Sequence, residues 1–517
     1  MELSQREKSL LFWASFTALA AAGVGFVLRV LVMGNWGADF GITDTEVGQI
    51  FGLSLWPIAV TMILFSLILD RVGYRTSMFI ACALQLVSVV LTVLAKDAGM
   101  LKWACFFGGL GHGIIEACIN PLCAGMYTTT KSKMLNILHA SWPAGIVVGG
   151  VTFLVLGDSI PSWNNSFLIM VLPILLYGAI FAVIKRYPVD ERVAANISNH
   201  EMLKEFGGLG ALLAATFITY ELTNQLLGFR ADSTSWVAQN LLAFSAAVGA
   251  VVGFGFGAYI GSKGKWLFFF LCLIMIPLAA TELGTDAWIR ELMEPLLGAQ
   301  AAGWAIVASA GIMMVLRFFA GVPLKYMSPP ALLLASSIFS MVGLFVLSGA
   351  AGAMVFVAFT LYAIGQTFYW PTMLGFVSER FPKGGAMTLN TVSAMGLLTI
   401  GIFGAPYLGA IKSSYDAETV IAYAADVEAL AIDNYVTEEK FFFYTHDAVV
   451  PSKVLMDPAL SPAQASELKV QIGENGRNTL KAAAGMPLTM AIAFLLILLW
   501  FRSKGGYKAI ELAAKEI

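Results

Sequence analysis

Charge is what this chain has least of. Asp, Glu, Lys and Arg make up 12% of its 517 residues, against 58% hydrophobic residues, so the charged share is about half that of an ordinary soluble domain. A soluble fold is excluded. The net charge of −2 gives no electrostatic ground for a nucleic-acid partner, because the charges sit in loops between apolar runs. Cysteine is also scarce: Cys82, Cys105, Cys118, Cys123 and Cys272 each lie inside a hydrophobic run without metal-ligand spacing, which leaves them a packing role and implies no disulfide framework. No Gly-rich phosphate loop, metal cluster or nucleophile constellation appears, so the sequence supports no ATP drive, no enzymatic chemistry, no cofactor and no metal.

What is abundant is apolar sequence of membrane-spanning length. Crossing about 30 Å of hydrocarbon takes roughly 20 apolar residues, and fourteen runs qualify: 9–33, 47–69, 76–95, 102–127, 135–157, 166–185, 207–228, 237–261, 266–284, 302–322, 330–349, 353–377, 386–410 and 483–502. The first is too long for a signal-peptide core and is expected to stay as a helix. Lys and Arg of the short loops (Arg6, Lys8, Arg71, Arg75, Lys131, Lys133, Lys185, Arg186, Lys263, Lys265, Lys325, Arg380, Lys383, Arg502 and Lys504 among them) fall on one side of this arrangement. The positive-inside rule then puts both termini in the cytoplasm and the chain in the lipid bilayer, with the bacterial inner membrane the expected location.

One run carries polar residues at helical spacing. In Gly108–Tyr127, GGLGHGIIEACINPLCAGMY, His112, Glu116 and Asn120 fall at i, i+4 and i+8 on one face. A charge near the bilayer centre costs about 2.5–3.5 kcal/mol on insertion scales, so a partner, water or a solute must meet Glu116. The pattern returns 250 residues later: His112 lies on Tyr362, Glu116 on Gln366, Asn120 on Trp370, Pro121 on Pro371 and Gly125 on Gly375, and Leu135-Asn136 matches Leu389-Asn390 after a four-residue gap. Internal repeats around a midplane site mark secondary transporters. A six-helix half takes roughly 190 residues, so an offset of 250 implies about 60 inserted ones, which residues 205–262 supply as a helical hairpin. The expected domains are 1–204, a six-helix bundle; 205–265, an inserted transmembrane hairpin; and 266–517, a second six-helix bundle containing a polar external loop, 412–482, with an amphipathic stretch near 461–484.

Between spans two and three stands Ser66-Leu-Ile-Leu-Asp70-Arg71-Val-Gly73-Tyr74-Arg75. It resembles the loop signature of the major facilitator superfamily, G-x-L-x-D-R-x-G-R-[RK], with Asp70, Arg71, Gly73 and Arg75 on the expected positions, Ser66 in place of the first Gly and Tyr74 in place of an Arg. Such a loop implies a conformational gate held by charge contacts between domains. Within that superfamily, GLGHGIIEACINP is similar to the fourth helix of the fucose/glucose/galactose permease-like branch, with Gly109, Gly111 or Gly113, Glu116, Asn120 and Pro121 fitting it. The resemblance implies an all-α fold of two pseudo-symmetric six-helix bundles, here with the extra hairpin and about fourteen transmembrane helices. It further implies alternating access for a small polar solute, with a sugar expected and a proton or sodium ion as coupling partner. Proton-coupled members carry a first-helix acid where this chain has Arg29. That cation either pairs with Glu116 or meets a ligand, and the second option makes an organic acid or sugar acid the competing solute.

Further candidates lie in the second half. Glu282 and Asp286 are four apart near the end of span nine, followed by Trp288, and can line the cavity as acceptors with an aromatic beside them. Tyr362, Gln366, Tyr369 and Trp370 are the repeat mates of the Glu116 stripe. His139, Trp142 and Asn390 either face the cavity or make helix–helix hydrogen bonds. Arg317 is expected to snorkel to the interface, and Glu221 to be structural. A monomer is expected. A non-transporting sensor or membrane-embedded enzyme on the same scaffold is the reading from another class.

Overall fold

The computed structural model describes residues 3–512 apart from 41, 43, 157–158, 231–234, 287–297, 426, 428–429 and 442–443. Trp288 lies outside the described residues. Helices account for nearly all regular structure, since a backbone in hydrocarbon must satisfy its polar groups within each segment. Twelve described helices are long and apolar enough to cross a membrane. With α5, Ala98–Met126, and α12, Ala299–Phe318, whose apolar part is Trp304–Phe318, they correspond one for one to the fourteen expected spans.

In the first half these are α1, Gln5–Phe40; α2, Asp44–Gly52, with α3, Trp56–Val72; α4, Tyr74–Val93; α5; α6, Lys131–His139, with α7, Ser141–Leu156; and α8, Val171–Val183. α1 packs on α7 and α8, and α5 on α3 and α4. Small residues allow the close approach: a Cβ on Gly145 of α7 would stand 2.1 Å from the Ala20 carbonyl oxygen of α1. α9, Asn199–Arg230, kinks at Gly207 (φ 58°), which separates a polar first stretch from the apolar span. It pairs with α10, Leu241–Ile260, and the pair leans on the second half through α11, Trp266–Ala279, and α16, Gly385–Thr399.

The second half continues through α12; α13, Pro329–Gly349; α14, Ala353–Gln366; α15, Tyr369–Arg380; α16; α17, Ala405–Ala424; α18, Pro462–Ala483; and α19, Gly485–Ser503. The expected span 353–377 is one membrane-length stretch, Ala353–Arg380, interrupted at Thr367 and Phe368 between α14 and α15. The largest contacts between halves join α3 to α16, α6 to α15 and α7 to α12.

The expected polar loop 412–482 is not a loop. Helical structure runs on from α16 into α17, and α18 runs into α19, so two helices of about 40 residues lead into and out of this segment. Between them lie a hairpin, β1 (Val436–Phe441) and β2 (Tyr444–Val449), with Val436 opposite Val449, and a short helix, Pro451–Leu455. Ala417, Val420, Leu430, Val449, Val454, Leu460, Leu468 and Ile472 form a core of their own. Ser461 caps α18 with a capping box to Gln464.

Candidate functional site

Two prolines set up the centre of the molecule. Proline has no N–H, so in a helix it leaves the carbonyl four residues earlier without its bond. Pro121 frees the Ala117 oxygen, which accepts from Asn390 Nδ2 of the other half at 3.1 Å. Pro371 frees the Thr367 oxygen, which accepts from Arg317 Nε at 2.7 Å. Asn390 also donates to Ser66 Oγ at 3.0 Å, and its repeat mate Asn136 donates to Thr372 Oγ1 at 3.1 Å. The asparagines of the repeated Leu-Asn motif are therefore reciprocal contacts between the halves, whereas the carbonyl freed by Pro371 is served from within its own half. Asn390 serves as an inter-helix partner, one of the two alternatives open from sequence.

A chamber inside the first half is lined by Arg29, Ser54, Gln85, Ser88, Gly108 and His112, with Phe26 and Trp142 on its wall. Arg29 is 7% exposed. Its Nη1 donates to the Gly25 oxygen at 3.1 Å and its Nη2 to Ser88 Oγ at 3.3 Å, and its guanidinium lies 5.6 Å from the Phe167 ring centroid. The glycines make this room: a Cβ on Gly108 would stand 2.7 Å from Nη2, and one on Gly25 3.1 Å from Nη1. The expected Arg29–Glu116 ion pair is absent among the described residues. Glu116 instead accepts from Asn120 Nδ2 at 2.7 Å and stands 3.8 Å from His112 Nε2. Asn120 Oδ1 meets His139 Nε2 at 2.8 Å, and the His112 ring stacks on Trp142 with centroids 5.2 Å apart. The Asn120 amide already serves the carboxylate, while the guanidinium takes its partners from Gly25 and Ser88.

A second cavity lies between the halves and shares Phe26 and Trp142 with the first. Glu282 and Asp286 reach it from the second half, and Met33, Phe51, Ile306 and Met313 supply apolar wall. A π-turn, Ala280–Gly284, carries Glu282, a distortion that often re-aims a functional side chain. The expectation for Arg317 is overturned. It is 1% exposed, pairs with Glu282 Oε1 at 2.7 Å and donates to the His139 carbonyl of the first half at 3.0 Å. Gln366 Nε2 donates to Asp286 Oδ1 at 3.2 Å and to Ser309 Oγ at 3.0 Å. Tyr362 donates to the Thr281 carbonyl at 2.8 Å. Trp370 packs against Gly396. Of the residues singled out in sequence, Arg29, His112, Trp142, Glu282 and Asp286 line cavities, while Glu116, Asn120, Tyr362, Gln366, Trp370 and Asn390 belong to the polar and packed framework behind them.

At the face carrying the termini, Gly73 ends α3 with φ 79°, a conformation that favours glycine. Asp70 pairs with Arg192, in the link between α8 and α9, rather than with the second half. Arg75 donates to the Ala182 carbonyl at 2.8 Å. Contact with the second half comes from Lys131, which pairs with Glu191 and reaches the Ser378 carbonyl at 3.4 Å, and from Ser132, which donates to Glu379. Burial pushes the Asp190 carboxyl beside them up, partly offset by the Arg192 amide and guanidinium. The chain end crosses the same place. Tyr507 donates to Glu379 Oε2 at 2.6 Å, and burial with that neighbouring carboxylate holds its hydroxyl well above the usual range.

The sequence profile of the Major Facilitator Superfamily matches residues 11–406. The chain belongs to that superfamily. Its proton:xylose symporter XylE, from E. coli, shares the fold with a TM-score of 0.61 at 13% identity, covering 99% of both chains. Among curated relatives, a TsgA homologue of Buchnera aphidicola is 24% identical over 234 residues, 44% of this chain and 57% of the relative. A gentisate transporter of Corynebacterium glutamicum is 21% identical over 260 residues, 47% of this chain and 58% of the relative. The matched stretches thus span a little over half of each relative's length. The protein is an integral membrane protein of the Major Facilitator Superfamily, and the superfamily match stops short of the folded unit between α17 and α18. Sequence reasoning missed Gln85, Ser88 and Ser309. Gln85 and Ser88, three apart on an otherwise apolar span, carried the signal, because that spacing turns both to one helix face.

Proposed function

We propose that this transporter carries a small organic acid or sugar acid by alternating access, with Arg29 receiving the carboxylate. One observation carries the reading: Arg29 is a buried guanidinium with no acidic partner among the described residues. Removing a charge from water costs several kcal/mol unless an opposite charge repays it, and a neutral solute repays little. A carboxylate would meet a planar fork of donors in bidentate geometry. The relative named for gentisate transport is in keeping with an anionic solute. The neutral-sugar reading keeps support from Glu282, Asp286 and Gln366, whose acceptors suit hydroxyl groups.

Glu116 and Glu282 are the residues of choice for a coupling proton, and Asp70, Arg71, Gly73 and Arg75 for control of the gate. Both termini lie in the cytoplasm by the positive-inside rule, in the bacterial inner membrane, and the monomer is the working unit. Counterflow in proteoliposomes tests the solute. Labelled monocarboxylates should exchange, and Arg29→Gln should abolish that exchange while the protein still inserts. Exchange of monosaccharides, unchanged in Arg29→Gln, would refute the organic-acid reading.

A further inference from the structure

We infer that the Arg29 chamber and the inter-half cavity are the two ends of one elongated site, built for a hydroxylated aromatic carboxylate. This rests on the organic-acid reading above and adds the body of the solute to its charge. The polarity is sorted along the site. At one end stand donors, the Arg29 guanidinium and the Gln85 amide, whose Oε1 is already taken by the Tyr177 hydroxyl at 3.0 Å; the Ser54 and Ser88 hydroxyls beside them give their protons to the Phe51 and Ala104 carbonyls. At the other end stand acceptors, Asp286 and Glu282. Arg317 neutralises Glu282, whereas Asp286 is met by the Gln366 amide at 3.2 Å and by no cation among the described residues, which leaves acceptor capacity for a hydroxyl.

The middle is aromatic. Phe26 and Trp142 line both cavities, with ring centroids 5.2 Å apart, and Phe51 stands 6.1 Å beyond Phe26. Trp142 is braced from behind by the stacked His112 ring. A solute whose carboxylate sits on Arg29 and whose far hydroxyl reaches Asp286 must pass its body along these rings. An aromatic ring gains from stacking there, while a short aliphatic acid or a saturated ring of equal size gains less. The donor end rejects a neutral head group, because its guanidinium would stay unpaired. Phe26 and Trp142 are on this account the residues that set specificity.

Binding to the full-length protein in nanodiscs tests the inference with a short ligand series: 2-, 3- and 4-hydroxybenzoate, benzoate, cyclohexanecarboxylate, lactate and glucose. At least one hydroxybenzoate should bind tenfold or more tighter than benzoate, and benzoate severalfold tighter than cyclohexanecarboxylate. Trp142→Leu should bring benzoate and cyclohexanecarboxylate to within about twofold of each other, and Asp286→Ala should remove the hydroxybenzoate advantage. If Trp142→Leu fails to fold, Phe26→Leu and the wild-type series still decide. Equal binding of the aromatic and saturated acids overturns the aromatic inference and leaves the organic-acid reading standing. Binding of lactate alone does the same. Binding of glucose with none of the acids overturns that reading itself, and binding of no member of the series overturns both.

Discussion

Gly108 fixes where the Arg29 guanidinium can sit, so the smallest side chain that could be added there is an informative change. In Gly108→Ala the new methyl group would lie 2.7 Å from Nη2 and 2.8 Å from Ser88 Oγ, and the fork must turn away from both. Losing one charge-assisted hydrogen bond to a ligand costs about 1.5–3 kcal/mol, so carboxylate affinity should fall about ten- to hundredfold. Charge and fold are retained, and titration calorimetry beside a melting curve separates the two effects. Pairing is the second question at this scale. Arg29 and Glu116 have separate partners, so their double-mutant cycle on carboxylate affinity should be additive within about 0.5 kcal/mol, whereas Glu282 and Arg317, 2.7 Å apart, should couple by about 0.5–3 kcal/mol in melting stability. Strong coupling of Arg29 to Glu116 would restore the pair that was one of the two alternatives open from sequence. Single charges in apolar runs were legible from sequence; their partners were not, because pairing depends on how α1, α4 and α5 are rotated about their axes. Arg317 was misread for a related reason. Nearness to a span end suggests snorkelling, but Pro371 on another helix offers it a freed carbonyl, and no local pattern reveals that.

Among the elements, the fourteen spans were readable because bilayer thickness fixes their length. The break between α14 and α15 was announced by Pro371 alone, and its mate Pro121 sits inside an unbroken α5. The same residue thus has two outcomes, decided by packing. The unit between α17 and α18 was hidden for a different reason. Its core draws on single apolar residues scattered across two helices, a hairpin and turns, so no one segment shows a strong period. Leu468 is fully buried in that core. Leu468→Ala should destabilise the unit by about 2–5 kcal/mol, exposing it to protease at low enzyme concentration while the membrane helices stay intact. Unchanged cleavage of the variant would mean that the two helical extensions, rather than the core, hold the unit.

For the whole molecule, the described contacts between halves that involve hydrogen bonds gather toward the face carrying the termini, and the inter-half cavity lies toward the other face. Asn390 spans from α16 to Ser66 and the Ala117 carbonyl, and Asn136 spans from α6 to Thr372. Their positions in the repeat make them equivalent latches, and opening the cavity toward the termini must break both. Side-chain hydrogen bonds between membrane helices average about 0.6 kcal/mol. Asn136→Ala or Asn390→Ala should therefore raise the population open toward the termini roughly threefold each, and the double variant roughly eightfold, because independent contributions add in free energy. A cysteine placed at Leu389, which lines the small vestibule beneath the latches, reports the change through its rate of alkylation in inside-out vesicles. The rate should climb in the order wild type, single, double. A solute that closes the opposite face should raise it further, since it binds one state better than the other. Identical rates in all variants would mean that the Lys131–Ser378 and Ser132–Glu379 contacts hold this face shut without the asparagines, and the gate would then lie in the charged rim instead of the membrane interior.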